Sequence, residues 1–585
     1  MRVDQPFRKK DDNAMLHPLK STRKFNYSVM DIETFNWTDV KLVGFYDGDK
    51  YYAFHSVKEW LDFFLKRKYV YWRCFAHFGA GFDFNFVMAE LEKSFPQFKV
   101  VILSNNGASM IKIYDKLSSG GRAWILLDSY RLLPKSLAEL TKSFDVEHKK
   151  KEDVDREHLE KISWEEMQEY NEYDCKGLYE VIEKFSEWFS KYKVPLRPTT
   201  ASQAMATYRR MMKFAIPNLK PAVEKFIRDS YYGGRVEVFK MRCFDKLKVY
   251  DFTSLYPYVM KKYPMPVGTA SRVTKFYEDT TGFYKATVKI PDMYFPPMPW
   301  LNQQKLIFPT GKFSGIYASK ELEMARLLGC EFNIDYGYIF PDAYIFDEYV
   351  DMMFKLKQSG DGATKAIAKL MLNSLYGKFG QNRNKQTIVK TDIAHAVGLK
   401  PFNDEHDLYI QESESRATFI IPSISAWVTS CARVELLQKL LKAGEEHAYY
   451  ADTDSIFSTK NLPTSDKLGG LKVEAEADEA IFVLPKLYAL RCGDKIITKA
   501  KGFERDFTNK LTFNSFDKAL HGDRSDFVQV IQRFGKFKES LKREGRYVTM
   551  LTKKKSIKSE YDKRTWDENY NTLPRRVNQD MTLQL

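Results

Sequence analysis

Short runs of alternating apolar and polar residues near the start of the chain predict β-strands. Residues 25–35 (FNYSVMDIETF) predict a strand that ends in acidic residues. Residues 41–54 (KLVGFYDGDKYYAF) predict a hairpin around Asp47 and Gly48, because Asp-Gly is a favoured hairpin turn. The N-terminal part is therefore expected to contain β-structure that carries carboxylates.

Helical periodicity predicts two long helices further along the chain. The first covers residues 163–193 and begins at SWEE, where Ser163 and Glu166 form a capping box. The second runs from about residue 361 to residue 376 and is ended by Gly377.

The length of the chain predicts several domains, because 585 residues are too many for one core. Residues 191–200 (KYKVPLRPTT) contain two prolines and form the first predicted boundary. Pro-rich interruptions follow at 264–268 and 294–300. No repeat of fixed period and no segment of low complexity is found.

Composition narrows the class of protein. The chain has 92 Lys+Arg and 77 Asp+Glu, which gives a net charge of +15. This charge favours a polyanionic partner such as nucleic acid, but a basic surface that serves only solubility would have the same composition. The six cysteines form no CxxC pair, which argues against a disulfide framework and a structural zinc site. Without a signal peptide or an apolar run of about 18 residues, no membrane span is expected.

Two aspartates one residue apart, Asp452 and Asp454, interrupt the apolar stretch YYADTDSIF. They would share one face of a regular strand, and a tight turn at DTD could also bring them together. With no Lys, Arg or His in the stretch, a divalent cation is the natural counter-charge, and oxygen ligands favour Mg²⁺ or Mn²⁺. A simple polar turn is the alternative explanation.

Two further stretches of sequence contain residues that would suit the same metal site or a bound triphosphate. VYDFTSLYP (249–257) predicts a second strand that ends in an acid, Asp251, which could complete a two-metal site for phosphoryl transfer. In KAIAKLMLNSLYGKFG (365–380), one helix face carries four polar residues, a set that suits a triphosphate or an ordinary solvated surface. These residues are Lys365, Lys369, Asn373 and Tyr376.

The strings DFTSLYP, KLMLNSLYG and YADTDS, in that order, resemble motifs A, B and C of family B DNA polymerases. KLMLNSLYGKF is most similar to the protein-primed branch of phages and linear plasmids. DIET (31–34), HFGAGFDF (77–84) and YNEYD (170–174) resemble the three motifs of the 3′–5′ proofreading nuclease, YYGGR (231–235) resembles the YxGG signature, and KLY (486–488) resembles KxY.

The resemblance implies a multidomain α+β fold, with an RNase H-like exonuclease domain and a right-hand palm, fingers and thumb that carry two protein-priming insertions. The expected division is exonuclease 1–197, palm 198–262, insertion that binds the terminal protein 263–345, fingers 346–380, processivity and strand-displacement loop 381–416, second part of the palm 417–505, and thumb 506–585.

The nuclease residues also fit elementary geometry, because Asp31 and Glu33 share a strand face and Tyr170 and Asp174 are four apart on a helix. Phe78 stands where the family usually has Asn, so stacking on a base is expected to replace a polar contact. The catalytic residues that the resemblance implies are Asp251, Asp452, Asp454, Lys369, Asp31, Glu33, Asp83, Tyr170, Asp174 and Lys151.

The resemblance implies two metal ions at each site, Mg²⁺ or Mn²⁺. The implied ligands are Asp251, Asp454 and the Phe252 carbonyl at one site, and Asp31, Glu33, Asp83 and Asp174 at the other. The residues implied to bind nucleotide are Phe252, Leu255, Tyr256, Lys357, Lys365, Asn373, Tyr376 and Gly377. Those implied to contact DNA are His77, Phe78, Phe82, Ser129, Tyr231, Gly233, Gly234, Arg433, Lys486, Tyr488 and Lys499.

The expected partners are template-primer DNA, dNTPs and a terminal protein, with the chain a monomer or bound to that protein as a heterodimer. The expected location is the host cytoplasm, with an organelle left open. Two alternatives remain at this point: a primer-independent family B polymerase, and a catalytically inactive DNA-binding scaffold. All seven acids expected at the two sites are present, which argues against the scaffold; they are Asp31, Glu33, Asp83, Asp174, Asp251, Asp452 and Asp454.

Overall fold

A computed structural model describes residues 14–20, 25–103, 110–115, 121–150, 162–392, 395–557 and 560–578. The N-terminal region combines strands with helices that cover them. Its elements in chain order are β1 (Met15–Leu16), β2 (Tyr27–Phe35), β3 (Asp39–Tyr46), β4 (Tyr51–Phe54), α1 (Val57–Phe64), β5 (Arg73–Ala76), α2 (Asp83–Ser94), β6 (Phe98–Leu103), β7 (Met110–Asp115), β8 (Ala123–Asp128), α3 (Leu137–Ser143) and α4 (Trp164–Ser190).

Both N-terminal sequence predictions are confirmed. Strand β2 ends in the acids, and β3 and β4 pair as an antiparallel hairpin. Helix α4 begins at the capping box of Ser163 and Glu166 and packs on β2 and β3. The helix therefore carries its own acidic residues over the carboxylates of β2.

The middle of the chain contains a central sheet, several helices and a separate β-rich unit. Its elements are α5 (Thr200–Met211), β9 (Ile216–Pro217), α6 (Pro221–Arg228), β10 (Val236–Val238), β11 (Arg242–Cys243), β12 (Leu247–Phe252), α7 (Leu255–Lys262), β13 (Met265–Pro266), β14 (Ser271–Val273), β15 (Thr281–Ile290), β16 (Trp300–Asn302), β17 (Lys305–Ile307), β18 (Thr310–Ala318), α8 (Ser319–Leu327), β19 (Glu331–Phe340), β20 (Asp342–Ala343), α9 (Asp347–Ser359) and α10 (Gly362–Phe379).

Helix α10 continues past Gly377 to Phe379, so the prediction that Gly377 ends the helix is wrong. A Cβ atom at Gly377 would have no neighbour within 4 Å, and the backbone there stays helical. The buried face of α10 is formed by Ile367, Met371 and Leu375 and leaves Lys369 on the exposed side.

The last part of the chain completes sheets that earlier segments begin. Its elements are β21 (Asn384–Lys390), β22 (Lys400–Asn403), β23 (Leu408–Glu414), α11 (Pro422–Ala443), β24 (Ala448–Asp452), β25 (Ser455–Ser458), β26 (Leu471–Ala477), β27 (Glu479–Leu484), β28 (Leu487–Cys492), β29 (Lys495–Ala500), α12 (Arg505–Lys510), α13 (Phe513–Leu520), β30 (Val528–Phe534), α14 (Phe537–Ser540), β31 (Met550–Ser556), β32 (Arg564–Trp566), β33 (Thr572–Pro574) and β34 (Arg576–Asn578).

Three sheets position the candidate sites. The N-terminal sheet has ten strands in the order β22-β23-β21-β6-β7-β8-β5-β2-β3-β4, so the hairpin β21–β23 extends it from a distant part of the sequence. The central sheet has the order β10-β24-β25-β12-β26. A third sheet, β14-β19-β15-β18-β34, takes its last strand from the end of the described chain.

Helix α11 lies beside the central sheet and is buried along most of its length, including polar residues such as Arg433 and Glu435. Its Trp427 is fully buried and lies edge-on to Phe283 of the third sheet. The helix thus joins the central sheet to the third sheet through one continuous core.

A polar junction, here called the Glu92 junction, connects three segments. Glu92 of α2 accepts hydrogen bonds from Tyr547 at 2.8 Å and lies 2.9 Å from His406 Nδ1. The His406 ring packs on Tyr547, and Lys390 Nζ lies 3.5 Å from Glu92. The junction fixes the β21–β23 hairpin and the segment after α14 against the N-terminal region.

All six cysteines are free thiols, and five of them are buried. Within the described ranges, no helix is both long enough and apolar enough to cross a bilayer.

Candidate functional site

Asp251 and Asp454 line one cavity of about 690 Å³ at the end of strand β12 and the turn between β24 and β25 in the central sheet. Asp251 lies near the end of β12, and Asp454 lies in the turn between β24 and β25. The Phe252 amide donates a 2.8 Å hydrogen bond to the Asp454 carbonyl and fixes the two strands. The described residues of the cavity wall are Asp251, Phe252, Thr253, Ser254, Leu255, Tyr256, Phe354, Lys357, Gln358, Lys369, Asn373, Tyr376, Asp454, Asp466, Lys472 and Glu474.

The DTD segment is a turn rather than a regular strand. Thr453 has φ +62°, and its amide donates to the Arg235 carbonyl at 2.8 Å. As a result Asp452 points to another group: both of its carboxylate oxygens lie 2.8 Å from Lys486 Nζ, and Tyr450 donates to it at 3.1 Å. No Lys, Arg or His lies within the stretch YYADTDSIF itself, but Asp452 has a basic neighbour from elsewhere. Lys486, in the connection between β27 and β28, supplies its positive charge.

The electrostatics of the cavity favour a bound cation. Burial and the nearby Asp454 raise the pKa of Asp251 to about 6, although Lys472 partly offsets this. Burial and Asp452 likewise raise the pKa of Asp454. Ionised carboxylates are therefore unfavourable here unless a positive charge approaches them.

Lysines surround the same cavity. Lys357 Nζ donates to Ser254 Oγ at 2.8 Å, and burial together with Lys369 and Lys472 lowers the pKa of Lys357. A pKa lowered by neighbouring ammonium groups indicates that several positive charges share the space, a suitable arrangement for phosphate oxygens.

Of the other residues predicted to bind nucleotide, Asn373 and Tyr376 line the cavity, whereas Lys365 and Gly377 lie on the exposed surface of α10 away from the described wall. The rings of Tyr256 and Tyr376 stack with centroids 4.3 Å apart. Leu255 is buried and starts helix α7 below the cavity.

The loop at residues 231–234 touches the DTD turn. A Cβ atom on Gly234 would lie 2.8 Å from Thr453 Cγ2, so only glycine allows this approach. Arg433, predicted to contact DNA, is 3% exposed and pairs with Glu321 at 2.8 Å. It also donates to the Tyr232 and Gly233 carbonyls at 2.7 and 2.8 Å, so the DNA-contact prediction is corrected: Arg433 supports the loop from within.

The KxY segment lies beside the acids. Lys486 has φ +64° and holds Asp452, and Tyr488 packs on Tyr450 with ring centroids 5.7 Å apart. Lys499 is exposed and stands opposite Tyr488 on the neighbouring strand β29. Tyr231 is half-buried and packs close to Gly380, at the end of α10.

A second acid cluster lies on the N-terminal sheet. Carboxylate oxygens of Asp31, Glu33 and Asp174 lie within 4.8 Å of one another. Buried Asp83 accepts a 3.1 Å hydrogen bond from the Ile32 amide, between the two acids of β2. Burial and then mutual repulsion raise the pKa values of these acids, with Glu33 the strongest neighbour for Asp31, Asp174 for Glu33, and Asp31 for Asp83.

Asn171 holds two of these acids, and its role escaped the sequence analysis. Its amide donates to Asp31 Oδ2 at 3.0 Å and to Glu33 Oε1 at 3.3 Å, while its own oxygen accepts from Tyr51 at 3.0 Å. A Cβ atom on Gly44 would lie 1.6 Å from the Asn171 oxygen, so glycine leaves room for the amide. The i, i+3 spacing of Asn171 and Asp174 was the available signal.

Lys150 is the lysine of this cluster. Its Nζ lies 2.5 Å from Asp174 Oδ2 and donates to Tyr170 at 2.7 Å. Burial alone would lower the pKa of Lys150, but Asp174 and Tyr170 raise it above its ordinary value. The predicted Lys151 lies outside the described residues. Three consecutive lysines gave no signal to choose between them.

The predicted single-strand contacts divide into exposed and enclosed residues. Phe78 is 48% exposed, has φ +61° and packs edge-on to Tyr130. Phe82 packs on Phe534 with ring centroids 4.9 Å apart. Both rings are therefore held by aromatic neighbours from other segments.

His77 and Ser129 behave differently. Ser129 is fully buried and bonds to His77 Nδ1 at 2.9 Å, so the prediction that Ser129 contacts DNA or a priming protein is corrected. His77 Nε2 bonds to the Lys135 carbonyl, and burial lowers its pKa to about 4. The pair fixes the loop that presents Phe78.

Both acid sites fit divalent ions by their donor chemistry. Each offers carboxylate oxygens without sulfur or imidazole, and each has acids whose pKa values are raised by crowding, a pattern that suits Mg²⁺ or Mn²⁺. Asp251, Asp454 and the Phe252 carbonyl would hold ions at the central sheet, and Asp31, Glu33, Asp83 and Asp174 would hold them at the N-terminal sheet.

Comparison with known proteins decides the family. Residues 65–163 and 152–461 match the profile of the family described as DNA polymerase type B, organellar and viral. The chain belongs to this family. The recognition made from motifs A, B and C is therefore confirmed.

Relatives of this type B chain come from fungi and phages. A probable DNA polymerase of Neurospora intermedia is 30% identical over 405 residues, which cover 62% of this chain and 41% of the relative. The DNA-directed DNA polymerase of Enterobacteria phage PRD1 is 27% identical over 526 residues, which cover 82% of this chain and 86% of the relative. The chain thus spans less than half the length of the fungal protein.

Among solved structures, Phi29 DNA polymerase complexed with primer-template DNA and incoming nucleotide substrates is similar, with a TM-score of 0.74 and 20% identity. The likeness covers 91% of this chain and 100% of that one. It confirms the predicted multidomain α+β fold.

Proposed function

We propose that this chain is a DNA-templated DNA polymerase with a 3′–5′ exonuclease, and that it starts synthesis from a protein primer. The main support for this proposal is that Asp251 and Asp454 line one cavity together with Lys357 and Lys369. Paired acids beside lysines suit the joining of a nucleoside triphosphate to a hydroxyl group. Family membership and the relatives named DNA polymerase support the same activity.

Seven residues of the cavity have a proposed task. Lys369 and Lys357 neutralise the triphosphate, Tyr256 lies under the sugar and excludes a 2′-hydroxyl, and Tyr376 packs on the new base pair. Divalent ions held by Asp251, Asp454 and the Phe252 carbonyl would activate the attacking hydroxyl and stabilise the leaving pyrophosphate.

We propose the N-terminal acid cluster as the proofreading site. Asp31, Glu33, Asp83 and Asp174 would hold ions that activate a water molecule. Lys150, rather than a neighbouring lysine, neutralises the phosphate and orients Tyr170 through its 2.7 Å hydrogen bond. Phe78 stacks on an unpaired base.

Two units support protein priming and processive synthesis. Four strands of the third sheet, β14, β15, β18 and β19, lie within the proposed insertion at residues 263–345, and this unit would bind the terminal protein. The β21–β23 hairpin, within the proposed loop at 381–416, would hold duplex DNA together with the thumb at 506–585. The remaining proposed units are the exonuclease at 1–197, the palm at 198–262 and 417–505, and the fingers at 346–380.

A two-step experiment tests the proposal. Pure protein with primed template, Mg²⁺ and dNTPs should extend the primer, and no extension would contradict the polymerase assignment. The same protein with circular single-stranded template and no primer should stay inactive until a terminal protein is added. Product without primer or partner would instead favour the primer-independent alternative.

A further inference from the structure

Lys472 and Glu474 line the central cavity but belong to none of the sequence motifs. They lie on strand β26, which pairs antiparallel with β12 so that Lys472 stands directly opposite Asp251. The register between β12 and β26 shifts at Glu474, and both Lys472 and Glu474 face the cavity.

The ammonium group of Lys472 lies between two carboxylates. Its Nζ is 3.6 Å from Asp251 Oδ2 and 3.0 Å from Glu474 Oε1. The Lys472 and Glu474 side chains are 45% and 48% exposed, while Asp251 is 22% exposed. Lys472 and Glu474 are therefore more open to solvent than Asp251 is.

A cation beside Asp251 competes with Lys472 for the same carboxylate. A divalent ion has twice the charge of an ammonium group and binds carboxylate oxygens directly, so it should displace Lys472 from Asp251. Once it is bound, Lys472 is repelled from Asp251, and Glu474 is the acid that remains within its reach.

We propose that Lys472 is a resident counter-ion of the central site, which neutralises Asp251 before metal binding and then transfers its pairing to Glu474. Lys472 is a positioning residue in this scheme: it sets how tightly the free protein holds divalent ions. The inference rests on the proposed function, because it takes Asp251 and Asp454 as the metal ligands.

The test is a Mn²⁺ titration followed by electron paramagnetic resonance, without DNA or nucleotide. The background protein carries Asp31→Asn and Glu33→Gln, so that ion binding at the N-terminal cluster is removed. Lys472→Met should bind Mn²⁺ about 2- to 5-fold more tightly, the change expected when a half-exposed ion pair no longer competes.

Glu474→Gln should have the opposite effect, because Lys472 then has only Asp251 as a partner. The double variant Lys472→Met/Glu474→Gln should match Lys472→Met alone. A double variant that binds Mn²⁺ more weakly than Lys472→Met would show that Glu474 is itself a ligand and would overturn the proposal. Unchanged or weaker binding in Lys472→Met would overturn it as well.

The chain supplies matched controls. Lys248 and Glu476 form a similar pair, 3.4 Å apart, on the same two strands but outside the described cavity wall, so Lys248→Met should leave Mn²⁺ affinity unchanged. Asp454→Ala should abolish Mn²⁺ binding, so that the signal of free Mn²⁺ stays at its full height. If Asp454→Ala has no effect, the proposed function fails; if it abolishes binding while Lys472→Met has no effect, only the counter-ion proposal fails.

Discussion

Two sites in this chain hold carboxylates close together, but they differ in what neutralises them. At the N-terminal cluster the partners of the acids are held in place by burial: the Lys150 side chain, which supplies the positive charge, is only 18% exposed, and Asn171, which donates hydrogen bonds to Asp31 and Glu33, is fully buried. At the central cavity the cations include solvent-exposed lysines, such as Lys369 and Lys472. A fixed arrangement suits repeated attack on one kind of phosphodiester, whereas an open arrangement can admit and release a triphosphate.

Removal of one acid of the central cavity should separate the two sites most clearly. Asp454→Ala should lower nucleotide incorporation by at least about 10³-fold, because metal-assisted charge stabilisation contributes several kcal/mol. Trimming of single-stranded 3′ ends and duplex binding should remain. Primer extension measures nucleotide incorporation, and a gel-shift assay measures duplex binding. Continued synthesis would contradict the metal assignment.

The reciprocal change affects the N-terminal cluster. Asp31→Ala combined with Glu33→Ala should lower 3′-end trimming by about 10³-fold and spare primer extension, since the two sites have separate ligands. The measurement is release of labelled nucleotides from a single strand. Unaltered trimming would mean that the nuclease activity lies elsewhere or is absent.

The fixed lysine allows a finer test. Lys150→Met should lower trimming by about 10²-fold, the scale of losing one positioned charge at the reacting phosphate. Lys149→Met is the matched control, because Lys149 lies on the same loop, is exposed, and pairs with Asp145 instead of an acid of the cluster. Equal losses in both variants would indicate general loop disruption instead of a role for Lys150.

Much of this division could be predicted from the sequence, because the acids lie in short strings whose local order is the signal. The roles of Lys150 and Lys472 could not be predicted in this way. Lys150 has identical neighbours on both sides, and Lys472 lies in KVEAE, which looks like an ordinary exposed strand. Burial of Ser129 and Arg433 was equally hidden, because it depends on chain segments that are distant in sequence.

The smallest expected effect is on stability without metal. With EDTA, Asp31→Asn with Glu33→Gln should raise Tm, because burial and repulsion make the ionised acids unfavourable; each kcal/mol gained corresponds to about 2–4 °C in a domain of this size. Asp251→Asn should raise Tm less, since its cavity is open to solvent. Differential scanning calorimetry measures both shifts, and Mg²⁺ should shrink them.

The pH dependence has a defined sign. The pKa of Asp251 is raised to about 6 in the folded chain, so the folded state binds more protons than the unfolded state between about pH 4 and pH 6. Stability in EDTA should therefore fall as pH rises through that window, and Asp251→Asn should reduce the slope. An unchanged slope would contradict the raised pKa.

The pairing of β21 with β6 has a consequence for how the chain folds. Strand β6 pairs with the nearby β7 on one side, but its second neighbour, β21, is complete only after 390 residues have been synthesised. Tyr547, the hydrogen-bond partner of Glu92, is synthesised later still. A fragment that stops near residue 197 would leave β6 as a bare edge, open to association with other chains. The N-terminal unit thus reaches its final form late, when the distant hairpin arrives to cover it.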